Sequence, residues 1–314
     1  MPPLSVLVTG GAGYLGSVLV PSLLYQGFQV TVIDNFMYGQ TSLLDCCHFS
    51  HLTLVKGDVR DKHLINKYLG SSDIIVPLAC LTGEPLCKNN AESARQINYN
   101  AIAYILETRS HAQRIIFPST NSGYGVGQSE IYCTEKSPLT PISLYARLKV
   151  DMEKMILDAG NAITFRFATL FGMSPRMRMD LLVNDFVYRA IYDRTLVLFE
   201  SHFKRNYLHV RDAVAAFLFC IDHFENMKDQ TYNVGLDDAN LSKKELCEAI
   251  KCHLPLFKYV EADIGKDPDQ RNYIVSNDKI QKKGYRTYYT LEQGIQELIK
   301  GYTIVTHNAF RNYP

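Results

Sequence analysis

The 314-residue chain carries almost no net charge: 33 lysines and arginines stand against 32 aspartates and glutamates, a balance of +1. Such a surface has no general electrostatic attraction for nucleic acid or for an anionic membrane. Long apolar runs are missing as well, and none reaches the length that crosses a bilayer. The N-terminus lacks the basic, then apolar, then small-residue order of a secretory signal. The expectation is therefore a soluble, cytoplasmic protein. No CxxC pair occurs among the eight cysteines at positions 46, 47, 80, 87, 133, 220, 247 and 252, so they read as reduced thiols. Cys46-Cys47-His48-x-x-His51 alone approaches metal-ligand spacing. Adjacent cysteines are hard to place on one ion and no second ligand pair is found nearby, so no metal is expected. Repeats, low-complexity tracts and Gly/Ser linkers are absent too. What remains is ordinary globular composition, long enough for one large domain or two modest ones.

The chain is organised around its first thirty-five residues. Leu4-Ser5-Val6-Leu7-Val8-Thr9 is a short apolar run that stops at Gly10-Gly11-Ala12-Gly13-Tyr14-Leu15-Gly16. A helical pattern runs from Ser17 to Gln26, then a second apolar run, Gln29 to Ile33, ends in Asp34. Strand, glycine turn, helix, strand and terminal acid is the dinucleotide-binding βαβ unit. Gly10 and Gly13 let the backbone turn and approach a pyrophosphate at the helix N-terminus, and Gly16 lets helix and strand pack closely. A carboxylate at Asp34 accepts both ribose hydroxyls and repels a 2′-phosphate, which predicts NAD rather than NADP.

Further along, apolar runs at 52–58, 73–79, 114–119 and 162–167 alternate with helical patterns at 61–69, 91–111 and 142–160. This alternation predicts an α/β fold, a doubly wound parallel sheet of Rossmann type, with ligands at the carboxyl ends of its strands. Pro77 should end the pairing of its strand. Beyond Gly172 the pattern loosens into a basic, methionine-rich loop, Ser174 to Asp180, and then shorter helices and strands. The expected division is a dinucleotide-binding domain over 1–172, with return segments near 211–234. A smaller, interleaved substrate domain would occupy mainly 173–314.

Tyr145-Ala146-Arg147-Leu148-Lys149 places a phenol and an ammonium four residues apart, on one helical face. An ammonium beside a phenol favours the phenolate, lowers its pKa from about 10, and makes it a general base. Thr120, at the end of the fifth strand, is expected to face the same cleft. Alone, the Tyr/Lys pair would read as a surface pair; joined to the N-terminal unit it reads as chemistry.

With these features the chain resembles the extended short-chain dehydrogenase/reductases, the nucleotide-sugar epimerase and dehydratase family, over essentially its whole length. The resemblance implies a catalytic set of Thr120, Tyr145 and Lys149. It implies cofactor contacts from Gly10, Gly13, Tyr14, Leu15, Gly16, Asp34, Asn35, Asp58, Val59, Leu78, Ala79 and Asn98, besides Tyr145 and Lys149. Asn206 to Asp212 matches the family's (D/N)Y(I/V)HVxD motif, and Arg205 before it, with Arg271 in Asp267-Pro268-Asp269-Gln270-Arg271, would grip a substrate diphosphate. Thr82, Glu84, Asn121, Ser122, Thr169, Arg176 and Asn184 complete the implied substrate set. Family members pair into dimers through helices equivalent to 91–111 and 142–160, so a homodimer is expected.

The departures from the family pattern are as telling. The 4,6-dehydratases carry an Asp-Glu pair directly after the catalytic threonine, where this chain has Asn121 and Ser122, which titrate nowhere near neutrality. Thr169 stands where many members have asparagine. Pro85 to Lys88, Thr120 to Gly125, Ser174 to Arg178, Asp180 to Phe186 and Asp267 to Asp269 resemble one subgroup, the dehydrogenases that oxidise C4 of GDP-D-glycero-α-D-manno-heptose in surface-polysaccharide assembly. The resemblance thus implies NAD-dependent oxidation at C4 of a GDP- or UDP-activated sugar. A 4-epimerase would use the same residues. A 4,6-dehydratase, or an NAD-binding scaffold without catalysis, fits less well.

Overall fold

The structure, a computed structural model, describes residues 3–127, 130–262 and 271–305. Its centre is a seven-stranded sheet. In chain order the strands are β1 (Ser5–Thr9), β2 (Gln29–Asp34), β3 (Leu52–Lys56), β4 (Ile74–Pro77), β5 (Arg114–Thr120), β6 (Ala162–Phe167) and β7 (Gln230–Val234). They lie in the order β7-β6-β5-β4-β1-β2-β3, and every pairing is parallel. β1, β4 and β6 are buried almost end to end, because helices cover both faces of a parallel sheet and leave no polar side to alternate with. The order reverses between β1 and β4, and the crevice at that switch point opens at the strands' carboxyl ends.

Local chemistry shapes that crevice. The N–H of Gly10 donates to the carbonyl of Ile33 at 2.8 Å, with Gly10 at φ +72°. A Cβ there would stand 2.5 Å from the backbone nitrogen of Ala79, so only glycine fits between β1 and the end of β4. Pro77 is the last paired residue of β4, opposite Thr9, as its missing N–H requires.

The helix expected over 91–111 is Ala91–Arg95, a π-helical turn Gln96–Asn100, then Ala101–Thr108. The helix carrying Tyr145 and Lys149 is Leu144–Ala159, capped by the Ser143 hydroxyl, which accepts from the N–H of Ala146. Farther along the same helix, Glu153 forms a buried ion pair with Arg166 of β6 at 2.7 Å. Arg166 also donates to the Tyr124 hydroxyl, which donates to Asn233 at 2.6 Å. This network fixes the turn Asn121–Tyr124 directly after Thr120.

The later part of the chain builds small sheets around the crevice. Lys204–His209 lies between Asn240–Ser242 and Thr169–Phe171. Thr195–Leu198 pairs with Lys258–Glu261, and Tyr132–Cys133 with Ile274–Val275. One apolar cluster runs from Val6 and Val32 through Phe165 and Phe217 to Leu298 and Tyr302, so early and late segments share core side chains. Among the described residues, no helix is long and apolar enough to cross a membrane. Cys46 is buried and Cys47 exposed, while His48 engages the Asp45 carbonyl, so the one metal-like motif does not converge.

Candidate active site

A cleft of about 1020 Å³ lies along the carboxyl ends of the strands. Gly10, Gly13, Tyr14, Leu15 and Gly16 form its floor, with Asp34, Asn35, Asp58, Val59, Leu78 and Ala79 along the same side. Asp34 is held by two backbone donors, the N–H of Ala12 to Oδ2 at 3.0 Å and that of Phe36 to Oδ1 at 2.8 Å. Burial pushes its pKa up and these N–H groups oppose that. A carboxylate oxygen accepts more than one hydrogen bond, so Asp34 keeps capacity for a ribose diol. Asp58 is bound by Arg60 through both oxygens, which holds its carboxyl below the usual range. The glycine cradle against Ala79, the helix N-terminus behind it and the buried acid at the end of β2 together fit a dinucleotide.

Thr120, Tyr145 and Lys149 all line the cleft. Thr120 Oγ1 donates to Ser122 Oγ at 3.0 Å and accepts from the N–H of Ser122, and Arg271 donates to the same Ser122 hydroxyl. Tyr145 differs from the expectation. Burial pushes its phenol well above the ordinary value, and the leading downward pulls come from the guanidiniums of Arg178 and Arg271, not from Lys149. The ammonium of Lys149 is itself buried, its pKa lowered by desolvation, and it donates to the carbonyl of Pro118 at 2.7 Å. Helical spacing brings the two residues to one face but does not set the solvation that dominates the phenol.

The cleft also carries cations. Arg205 and Arg271 line it, with Thr169, Thr82 and Glu84. Asp267 to Gln270, which precede Arg271 in the motif, lie outside the described residues. Lys243, Arg178 and Cys80 line the cleft too, and none of them was an expected site residue. Arg178 carried a signal, the basic loop 174–180; Lys243 and Cys80 carried none.

Three expected contacts are not on the cleft wall. Asn98 is buried, with Oδ1 accepting from the N–H of Leu81 at 2.8 Å and Nδ2 donating to its carbonyl at 2.9 Å. It shapes the loop after β4 rather than facing a cofactor. Asn184 likewise binds backbone, accepting from Gly172 and donating to the carbonyl of Arg178. Asn121 is 1% exposed, with neither atom of its buried side-chain amide hydrogen-bonded, and it does not line the cleft, while its neighbours Thr120 and Ser122 do. Arg176 does line the cleft, but beside Tyr38 and Asp34 and not among the substrate cations.

Comparison with known proteins places this geometry. The family model described as "NAD dependent epimerase/dehydratase family" matches residues 6–235, well over half of the chain. The glycan-biosynthesis protein Agl12 of Haloferax volcanii is 25% identical over 95% of this chain and 98% of its own length. The UDP-glucose 4-epimerase of Halalkalibacterium halodurans is 28% identical over 88% and 89%. Among solved structures, the dTDP-glucose 4,6-dehydratase DesIV of Streptomyces venezuelae, determined with NAD bound, superposes with a TM-score of 0.86. That match covers 98% of this chain and all of DesIV at 23% identity, so it speaks to the fold alone. A parallel sheet with its glycine turn and terminal acid, a Thr/Tyr/Lys centre and the family match together establish that this chain belongs to the NAD-dependent epimerase/dehydratase family of extended short-chain dehydrogenases, enzymes with NAD as their cofactor.

Proposed function

We propose that the protein oxidises C4 of a nucleotide-activated sugar and leaves the C6 oxygen in place, as a dehydrogenase acting on a GDP-heptose-like substrate. Bound NAD+ supplies the hydride acceptor. Tyr145 takes the proton of the C4 hydroxyl, and Thr120 hydrogen-bonds the same oxygen. Because burial raises the phenol, the phenolate needs nearby positive charge, which Arg178 and Arg271 supply. Arg205 and Arg271 grip the diphosphate and thereby set the sugar against the reacting centre. Asp34 holds the adenosine ribose, and Lys149 braces the end of β5 beside Thr120.

The two residues directly after Thr120 carry this reading. Asn121 is buried away from the cleft, and Ser122 is tied into the Thr120–Arg271 chain. Elimination of water across C5 and C6 needs an acid and a base at this place, and neither residue titrates near neutrality. Oxidation at C4 needs only the residues present. A second reading, 4-epimerisation, is supported by the relationship to a UDP-glucose 4-epimerase and uses the same side chains, with the hydride returned to the other face.

The test is incubation with UDP-, GDP- and dTDP-sugars, then mass spectrometry of the products. The expected product is lighter by two hydrogens and comes from the GDP-heptose arm, while an isobaric epimer selects the second reading. A product lighter by one water overturns both. We also propose a homodimer joined through the helices of 91–108 and 144–159; light scattering that returns the mass of one chain rejects it.

A further inference from the structure

The loop after Thr169–Phe171 leaves the late segments and lies on the glycine-turn helix, Gly16–Tyr25. Three hydrogen bonds hold it there. Ser174 Oγ reaches the Tyr14 carbonyl at 2.7 Å and Ser17 Oγ at 2.8 Å, and the N–H of Arg176 donates to Ser17 Oγ at 3.3 Å. From this anchorage the Arg176 guanidinium lies over the ring of Tyr38, 4.3 Å from its centroid, and donates to the carbonyl of Met177. Arg176 is 3% exposed yet lines the cleft, within electrostatic reach of Asp34.

A planar guanidinium stacked on an aromatic ring donates only in its own plane, and that of Arg176, with one donor on the Met177 carbonyl, lines the cleft. Burial, with the neighbouring Arg178 guanidinium, lowers the pKa of Arg176 against the opposing pull of Tyr38, Asp180 and Asp34. The first turn of the ten-residue helix adds partial positive charge at the same end of the cleft. Asp34 marks where the adenosine ribose sits, and the next anionic group along a dinucleotide is its pyrophosphate.

We propose that Arg176 is a cofactor clamp: its guanidinium, held flat on Tyr38 and anchored through Ser17, binds the pyrophosphate of NAD and covers the adenosine half of the cleft. Two residues on, the same loop carries Arg178 toward Tyr145, so one segment touches both halves of the cleft. The inference rests on NAD as the cofactor and not on the identity of the sugar, so it survives or fails independently of the C4 reading.

The test is equilibrium binding of NAD, ADP-ribose and adenosine to the unmodified protein and to Arg176→Gln, Arg176→Lys and Tyr38→Leu, with thermal denaturation of each. Arg176→Gln should weaken NAD and ADP-ribose by about 10-fold or more, the loss of a charge-assisted contact, while adenosine stays within about twofold. Arg176→Lys, which keeps the charge but not the planar fork, should fall between. NAD affinity unchanged in a folded Arg176→Gln overturns the proposal, as does an equal loss for adenosine. If Arg176→Gln fails to fold, the part-exposed Tyr38 decides: Tyr38→Leu should weaken ADP-ribose several-fold, and an unchanged affinity overturns the clamp.

Discussion

Lys149 Nζ donates to the carbonyl oxygen of Pro118 at 2.7 Å and lies 4.4 Å over the Phe117 ring, so the ammonium is fastened to the last residues of strand β5 before Thr120. Tyr145, one helical turn earlier, is thereby set relative to Thr120. In this structure Lys149 braces helix against strand, and the charges that pull the Tyr145 pKa down are the guanidiniums of Arg178 and Arg271.

Replacing Tyr145 by Phe keeps the ring and removes the proton acceptor. Turnover should fall by about 10²- to 10⁴-fold while NAD affinity holds. Lys149→Ala should harm both turnover and fold, costing about 1–3 kcal/mol because the Pro118 carbonyl loses its donor in a buried place. Steady-state rates, NAD titration and thermal denaturation separate the two; near-normal turnover of Tyr145→Phe would show that another group is the base.

The rate should climb with pH through the neutral and alkaline range. The active form is the phenolate, the phenol is raised above its ordinary value by burial, and its deprotonated fraction therefore grows with pH throughout that range. Arg178→Gln removes a charge that pulls the phenol down, so the rising limb should move to higher pH. The pH profile of kcat/KM checks this, and a limb that stays in place would exclude Arg178 from the proton step.

The proposed role of Asp34 as ribose acceptor sets an expected choice of cofactor. Asp34→Ala loses the ribose acceptor and the repulsion of a 2′-phosphate at once, so NAD should weaken and NADP strengthen, narrowing their ratio by about 10-fold or more. Fluorescence titration with each cofactor measures it. Equal affinity of the unmodified protein for both would contradict the assignment.

Asn98→Ala strands the N–H and the carbonyl of Leu81 inside the protein. A loss of about 1–3 kcal/mol in unfolding free energy is expected. Reduced turnover should accompany it, because the loop after β4 that carries Thr82 and Glu84 loses its clip. Chemical denaturation against the unmodified protein decides whether Asn98 positions this loop.

Arg205→Ala and Arg271→Ala should each raise KM for the nucleotide sugar by about 10- to 100-fold with NAD affinity unaltered. A change in NAD affinity instead would move that arginine to the cofactor half.

The dinucleotide unit was legible from the sequence because its signals are local. β1, the glycine turn, its helix and Asp34 fall within thirty-five residues, and Gly10 and Gly16 answer close backbone approaches, to Ala79 and to Gly11. The alternation of apolar runs with helical patterns likewise reveals a parallel sheet, since strands buried on both faces are apolar throughout. The π-helical turn at Gln96–Asn100 left no mark in the sequence, because a single extra residue in a helix changes no composition or period that can be read.

Long-range placement is where the tertiary structure decides. Arg176 and Arg178 stand two residues apart in an irregular loop with no periodicity to say which way each faces. Only the anchorage on Ser17 sends one toward Tyr38 and leaves the other near Tyr145. Lys243 and Cys80 enter the cleft through packing between segments distant in the chain. The four-residue spacing of Tyr145 and Lys149 puts both on one helical face, but the sequence does not carry the burial that raises the phenol and depresses the ammonium. Spacing along a chain determines which residues share a face; desolvation depends on everything packed against that face, and that exists only once the chain has folded.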